Sequence, residues 1–415
     1  MNALTLLASL AACCILGACA AAAAADDEEF NYDESKLPSY TLPDPLKMQD
    51  GRSVTSAEMW RGERRPELLA LFRSQLYGQR PPNPEGITYD VKESTPAYLH
   101  GKGTRKDVRV LAPSAAGPVQ LLAFTLFTPI AKQPVPAFLG IHLFDTKSDA
   151  PIPGNPLEED VGEPLPGSAL LDAILDRGYA IATIDPDNLS PDNKDTYRQG
   201  ALNYLYPDRS GLPAAEEPGA IAVWAWGLSR ALDYLETDPA IDAKRVAAIG
   251  HSRRGKTALW AGAEDERFAI VISNDSGCGG AALSRRWFGE TVARINRAFP
   301  HWFCGNFKQY NGREAELPID QHELVALSAP RPVYVASAFE DGWADPKGEF
   351  LAALGADPVY ALFGLRGLGT TEQPPLNKSV GDAIGYHIRS GKHALTDYDW
   401  LKYLDFADRH FGKSR

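Results

Sequence analysis

The stretch Gly250-His251-Ser252-Arg253-Arg254-Gly255-Lys256 has residue types and an order that could do covalent chemistry. It follows a short apolar run, Val246-Ala247-Ala248-Ile249, and leads into a helical stretch at 257–263. A serine forced onto a tight strand-to-helix turn exposes its hydroxyl, and small neighbours let the two backbones approach. The N–H of Arg253 would then point at the oxygen of any carbonyl that Ser252 attacks, so the chemistry is acyl transfer. The second glycine stands one place later than in the usual Gly-x-Ser-x-Gly, at Gly255. A helix N-cap is the competing use of a serine at such a place.

The partners separate those two uses. A serine hydroxyl is a weak nucleophile and needs a base, with an acid to orient that base. Among eight histidines, His393 falls between the last expected strand and the final helix, where a base is expected, and His387 is its near rival. His142 and His410 have ready structural roles at a strand end and on a helix. The acid is expected after the strand at 332–337, where Glu340-Asp341-Gly342-Trp343 follow. Asp341 is therefore the expected acid, and Asp275, after the strand at 268–272, is the second candidate. The order Ser, Asp, His is the one that α/β-hydrolases use.

These residues need a scaffold. Strand patterns fall at 87–92, 107–111, 119–127, 135–142, 179–184, 245–249, 268–272, 332–337 and 358–363. Helical patterns fall at 66–76, 217–235, 257–263 and 397–411, the last with Thr396 as cap. Ile221, Trp224, Leu228, Leu232 and Leu235 lie on one face of the second. Hairpin-like strands followed by strand–helix alternation predict an α/β-hydrolase fold, a three-layer sandwich around a mostly parallel sheet. Residues 144–166, 186–216 and 366–392 lack periodicity, and loops that long are expected to rim a site.

The balance of 42 Lys and Arg against 54 Asp and Glu, a net charge of −12, excludes nucleic acid and anionic membrane surfaces as partners. Residues 1–25 read as an export signal: Leu16-Gly17-Ala18-Cys19 resembles a lipoprotein box that would leave a lipid anchor on Cys19, while the lack of a Lys or Arg before the apolar run leaves plain cleavage after the alanines, or a membrane helix that is never removed, as the alternatives. Residues 26–50 read as an acidic, extended N-terminal segment, and 51–415 as the catalytic domain. Outside the signal only Cys278 and Cys304 remain, and in an oxidising compartment they are expected to pair. No Cys-x-x-Cys or closely spaced His pair accompanies them, so neither a metal nor another cofactor is expected.

From about Leu68 to Phe411 the chain resembles the glucuronoyl esterases, carbohydrate esterase family fifteen, in its bacterial branch. The resemblance rests on Gly250-His251-Ser252-Arg253-Arg254-Gly255-Lys256, Asp275-Ser276-Gly277-Cys278-Gly279-Gly280, Trp287-Phe288-Gly289-Glu290-Thr291, Asp341-Gly342-Trp343 and Gly391-Lys392-His393. It implies cleavage of esters between glucuronate on xylan and alcohols of lignin. It also implies Ser252 as nucleophile, His393 as base and Arg253 as an oxyanion donor through both its N–H and its side chain. Lys256 and Glu290 would hold sugar hydroxyls, and Trp343 would lie against the glucuronate ring. The chain departs from the fungal pattern at His251 and Ala394, where fungal members carry cysteines, so their disulfide is absent here. Asp275 stands where glutamate is common. Two other readings compete: a general carbohydrate esterase or deacetylase with the same triad, and a non-catalytic binding protein on a hydrolase scaffold.

Overall fold

A computed structural model describes residues 30–94, 101–145, 150–151 and 167–412. The export signal, the Cys19 box and most of the 144–166 segment lie outside the described residues.

Ten strands form one sheet: β1 Thr88–Glu93, β2 Gly103–Ala112, β3 Val119–Pro129, β4 Val135–Ile141, β5 Ala180–Asp185, β6 Ile241–His251, β7 Ile270–Asn274, β8 Val333–Ala338, β9 Lys378–Gly381 and β10 Ile384–Arg389. Their order across the sheet is β1-β2-β3-β5-β4-β6-β7-β8-β10-β9. The run from β5 to β10 is parallel, while β1, β2 and β3 enter antiparallel and β9 closes the far edge antiparallel. The parallel strands are continuous apolar runs because both of their faces are covered. In β4 and β6, for example, Ala137, Leu139, Val246 and Ala248 feed one core, and Phe138, Ala247 and Ile249 the other.

Eight helices matter here: α1 Arg65–Phe72, α2 Gly167–Asp176, α3 Ala220–Leu235, α4 Arg253–Glu264, α5 Val292–Ala298, α6 Pro346–Gly355, α7 Asp357–Leu362 and α8 Asp397–Phe411. The larger core takes α1, α3, α4 and α6, and the smaller takes α2 and α8, which makes the three layers. Thr396 caps α8 through a reciprocal bond pair with Asp399. Helix α3 is buried on nearly every side, not along one stripe, because Trp226 and Arg230 are also covered. Residues 30–50 lie against the body and include a single 3-10 turn at Glu34–Lys36. Glu34 pairs with Arg286 at 2.5 Å, Asn31 accepts from Gly289 N–H at 2.9 Å, and Arg64 donates to Pro45 O at 3.1 Å.

Three expectations need correction. Residues 358–363 are not a strand but helix α7, opened by Pro358 in its first turn with Val359 and Tyr360 buried. A short apolar run does not distinguish the two by pattern. The last pair of strands, β9 and β10, lies inside the segment read as aperiodic. Strand β10 carries His387 and Arg389 into the core, where Asp399 meets both, and those polar residues broke the apolar signal. Finally, Cys278 and Cys304 do not pair; both are buried free thiols. The Cys304 thiol lies toward Ser74 O at 3.8 Å, while the neighbouring Phe303 ring is what packs against Gly279.

Candidate active site

Strand β6 delivers Ser252 at the sheet's carboxyl edge with φ 57° and ψ −127°, a left-handed conformation rare for a residue with a side chain. Its N–H donates to Asn274 O at 2.8 Å, and its carbonyl accepts from Gly255 N–H (2.8 Å) and Lys256 N–H (3.1 Å) at the start of α4. A Cβ on Gly250 would strike the Arg254 carbonyl, and one on Gly255 would meet Asn274 O and Ser276 Cβ at 3.0 Å. The close approach that fixes the second glycine thus falls at Gly255. Arg254, in the place usually given to that glycine, turns its guanidinium over the Trp224 ring at 3.7 Å.

His393 lies between β10 and α8, and its Nδ1 is 2.5 Å from Oδ2 of Asp341. They meet because β8 and β10 are sheet neighbours whose pairing continues past the strand ends: Phe339 N–H donates to Arg389 O (2.8 Å) and Glu340 N–H to Gly391 O (3.1 Å). Asp341 is buried and His393 is 40% exposed, so the imidazole faces solvent while the carboxylate does not. The His393 ring stands 4.5 Å from that of His251, the residue before Ser252. His251 bonds Asn274 Oδ1 at 2.6 Å, and burial, with His393 adjacent, pushes its pKa down to about 3, so it stays neutral.

Asp275 is close to the same histidine without bonding it. The ligand atoms of Asp275, Asp341 and His393 all lie within 4.8 Å of one another. Its Oδ2 is 3.4 Å from Arg389 Nη2 and 3.9 Å from His251 Nδ1. Burial raises its pKa well above the usual carboxylate range, against the opposing charge of Arg389.

In the first turn of α4, Lys256 is buried and donates through Nζ to Ser276 O. Burial pushes its pKa down while Glu290 resists, and burial pushes buried Glu290 up while Lys256 resists. Glu290 N–H donates to Trp343 O at 3.0 Å, so the acid and the tryptophan share one backbone link. The half-buried Trp343 ring meets Phe30 edge-on at 4.8 Å.

Residues 165–364 match the family model for glucuronyl esterase of fungi. A carbohydrate esterase of an unknown prokaryotic organism is 46% identical over 404 residues, 92% of either chain. A glucuronoyl esterase from Solibacter usitatus is 43% identical and superimposes with a TM-score of 0.82 over 91% of this chain and all of its own. This chain belongs to the glucuronoyl esterase family. It is a carboxylic ester hydrolase. A promiscuous esterase of the same family from a marine bacterial metagenome is similar too, at 45% identity and a TM-score of 0.79 over 92% of this chain and all of its own.

One part of this glucuronoyl esterase fold was not singled out from the sequence. Asp192, in the aperiodic 186–216 segment, accepts from Arg253 Nη1 (2.7 Å) and Trp302 Nε1 (2.7 Å), with His301 Nε2 at 3.2 Å. The Arg253 guanidinium also lies over the Trp302 ring at 4.7 Å. Burial raises the Asp192 carboxyl, but His301, Arg254, Arg253 and Trp302 together outweigh it and hold it well below the usual range. The one sequence signal for it was the length of that loop.

Proposed function

We propose that the protein hydrolyses esters joining the carboxyl group of glucuronate, with or without 4-O-methylation, on xylan to alcohols of lignin. Ser252 Oγ attacks the ester carbonyl as His393 takes its proton, and Asp341 holds the imidazole and balances its charge. The Arg253 N–H and guanidinium stabilise the oxyanion, a donor role worth about 10²–10³ in rate. The alcohol leaves with the proton from His393. Water, deprotonated by the same histidine, then releases glucuronate from Ser252.

The observation that carries the substrate class is the buried Lys256 and Glu290 pair beside the nucleophile, joined through Glu290 N–H to Trp343. A charged donor, a charged acceptor and an aromatic face match sugar hydroxyls and the apolar side of a pyranose. An acetyl group has no ring there to use them. The similar promiscuous esterase keeps a broader ester range as the second reading.

The test is hydrolysis of benzyl glucuronate, methyl galacturonate and an acetyl ester side by side, with Ser252→Ala as the blank. Preference for the glucuronate ester supports the reading, and equal turnover of the acetyl ester refutes it. We read residues 1–25 as an export signal, with Cys19 as a lipid anchor site, and 51–415 as the catalytic domain. Among the described residues no helix is long and apolar enough to cross a membrane.

A further inference from the structure

Arg389, the last residue of β10, is only 1% exposed, and the proposed mechanism gives it no task. The turn that follows it carries His393 and folds back over its guanidinium. Gly391 takes φ 89° there, and a Cβ on it would stand 3.3 Å from Arg389 Nη1. Nη1 donates to Ser390 O at 2.9 Å. Nη2 donates to Lys392 O at 2.9 Å and to Ala394 O at 2.6 Å. Those two carbonyls stand on either side of His393.

The same guanidinium reaches the nucleophile's turn. Its Nη2 is 3.4 Å from Asp275 Oδ2, which can accept whether or not that carboxyl is ionised. Asp275 directly follows Asn274, whose carbonyl accepts from Ser252 N–H at 2.8 Å and whose Oδ1 meets His251 Nδ1 at 2.6 Å. Asp275 holds φ 44°, a left-handed backbone that persists in a residue with a side chain only where its surroundings hold it. The charge is balanced from behind, where Nε donates to Asp399 at 3.0 Å. Burial opposes ionisation of Asp399, but the bond from His387 and the charge of Arg389 hold its carboxyl below the usual range. A planar fork donates in several fixed directions at once, which a lysine ammonium does not.

We infer that Arg389 is a positioning residue for the reaction, fixing His393 relative to Ser252 by holding the carbonyls beside the base and, through Asp275 and Asn274, the turn of the nucleophile. It acts through His393 and needs no contact with substrate. Asp275 thereby has a task other than that of triad acid: it joins the two turns. The inference rests on the proposed roles of Ser252 and His393, and it is independent of which sugar the ester carries. A base must lie within hydrogen-bond reach of the hydroxyl it deprotonates, so a turn that drifts from the nucleophile lowers turnover before it alters binding.

Arg389→Lys keeps the charge and loses the fork. Its kcat and KM are measured on methyl glucuronate and on nitrophenyl acetate, per active site counted by labelling with a serine-directed phosphonate. On both esters kcat should fall roughly tenfold or more with KM little changed, since a misplacement of about 1 Å can cost ~10² in rate. A residue that only supports the fold would lower the melting temperature and the labelled fraction while kcat per labelled site stayed the same, and that result overturns the inference. Asp275→Ala, which removes the acceptor, should lower kcat severalfold by itself and add little in the Arg389→Lys background, because both cut one link. Additive losses would overturn that link. If Arg389→Lys does not fold, Asp275→Ala decides alone: a mere reserve acid is silent while Asp341 holds the imidazole, so an unchanged kcat overturns the inference and a severalfold loss supports it. Activity retained in Ser252→Ala or His393→Ala would refute the proposed mechanism instead. Inactive alanine variants beside an unaffected Arg389→Lys would refute the positioning role alone.

Discussion

The guanidinium of Arg389 stands 3.4 Å from Asp275, Nη2 to Oδ2, and both side chains are buried. The same arginine donates through Nε to Asp399 at 3.0 Å, and Asp399 also meets His387 at 2.9 Å. Asp275 is thus drawn into a buried charge network behind the site. Asp341, from the next strand of the sheet, takes His393 instead.

Asp341→Asn should therefore lower kcat more than Asp275→Asn. Loss of a triad acid can cost on the order of 10⁴ in rate. With Asp275 within reach of the same imidazole, the single mutant should lose less than that, and the double mutant should lose more than either. Steady-state turnover of a glucuronate ester is the measurement. A silent Asp341→Asn beside an inactive Asp275→Asn would reverse the assignment.

Truncating Lys256 or Glu290 should weaken kcat/KM for glucuronate esters by roughly tenfold or more, the value of a hydrogen bond to a charged group. Nitrophenyl acetate, which has no sugar, should be affected far less. Equal losses on both substrates would show that the pair only supports the fold.

Asp192→Asn removes the charge that anchors Arg253 but keeps an acceptor for the Trp302 indole. If Asp192 positions the oxyanion donor, kcat should fall about tenfold with KM little changed, less than the 10²–10³ expected for loss of the donor itself. A change confined to KM or to thermal stability would remove Asp192 from the mechanism.

Glu349 gives the protein a pH signature. Burial pushes its carboxyl up to about 8, against the bonds from Ser337 and Gly277. A carboxyl whose folded pKa is raised is protonated in the native state where the unfolded chain has already ionised. Its contribution is therefore full below about 4.5 and is lost as pH rises through about 8. Melting temperature should fall across that window, and the fall should be smaller in Glu349→Gln, whose amide oxygen can still accept from Ser337. Parallel curves for the two proteins would show that Glu349 does not titrate there.

Alkylation of the unreduced, denatured protein should label Cys278 and Cys304 singly, as read by peptide mass spectrometry. In the native state both should react slowly, because burial raises the Cys304 thiol to about 11 and Cys278 well above its ordinary value. A peptide containing both residues joined by a bond would contradict the free thiols.

Much of this was legible in the sequence, because it is written in local pattern. The apolar run 246–249, a glycine before Ser252 and a helical stretch after it specify a strand–turn–helix wherever they occur. The helix at 397–411 and its Thr396 cap follow from spacing and from one side chain reaching three residues along. Tertiary structure alone decided the pairings across the sheet. Asp341 and Asp275 both follow strands in sequence, and only the placement of β10 beside β8 carries His393 to the first and Arg389 to the second. Asp192 reaches Arg253 across 61 positions, and Cys278 and Cys304 are both buried without pairing. Periodicity records which face of an element is buried. Which groups meet is set by strand order and side-chain packing, and those depend on residues far apart in the chain.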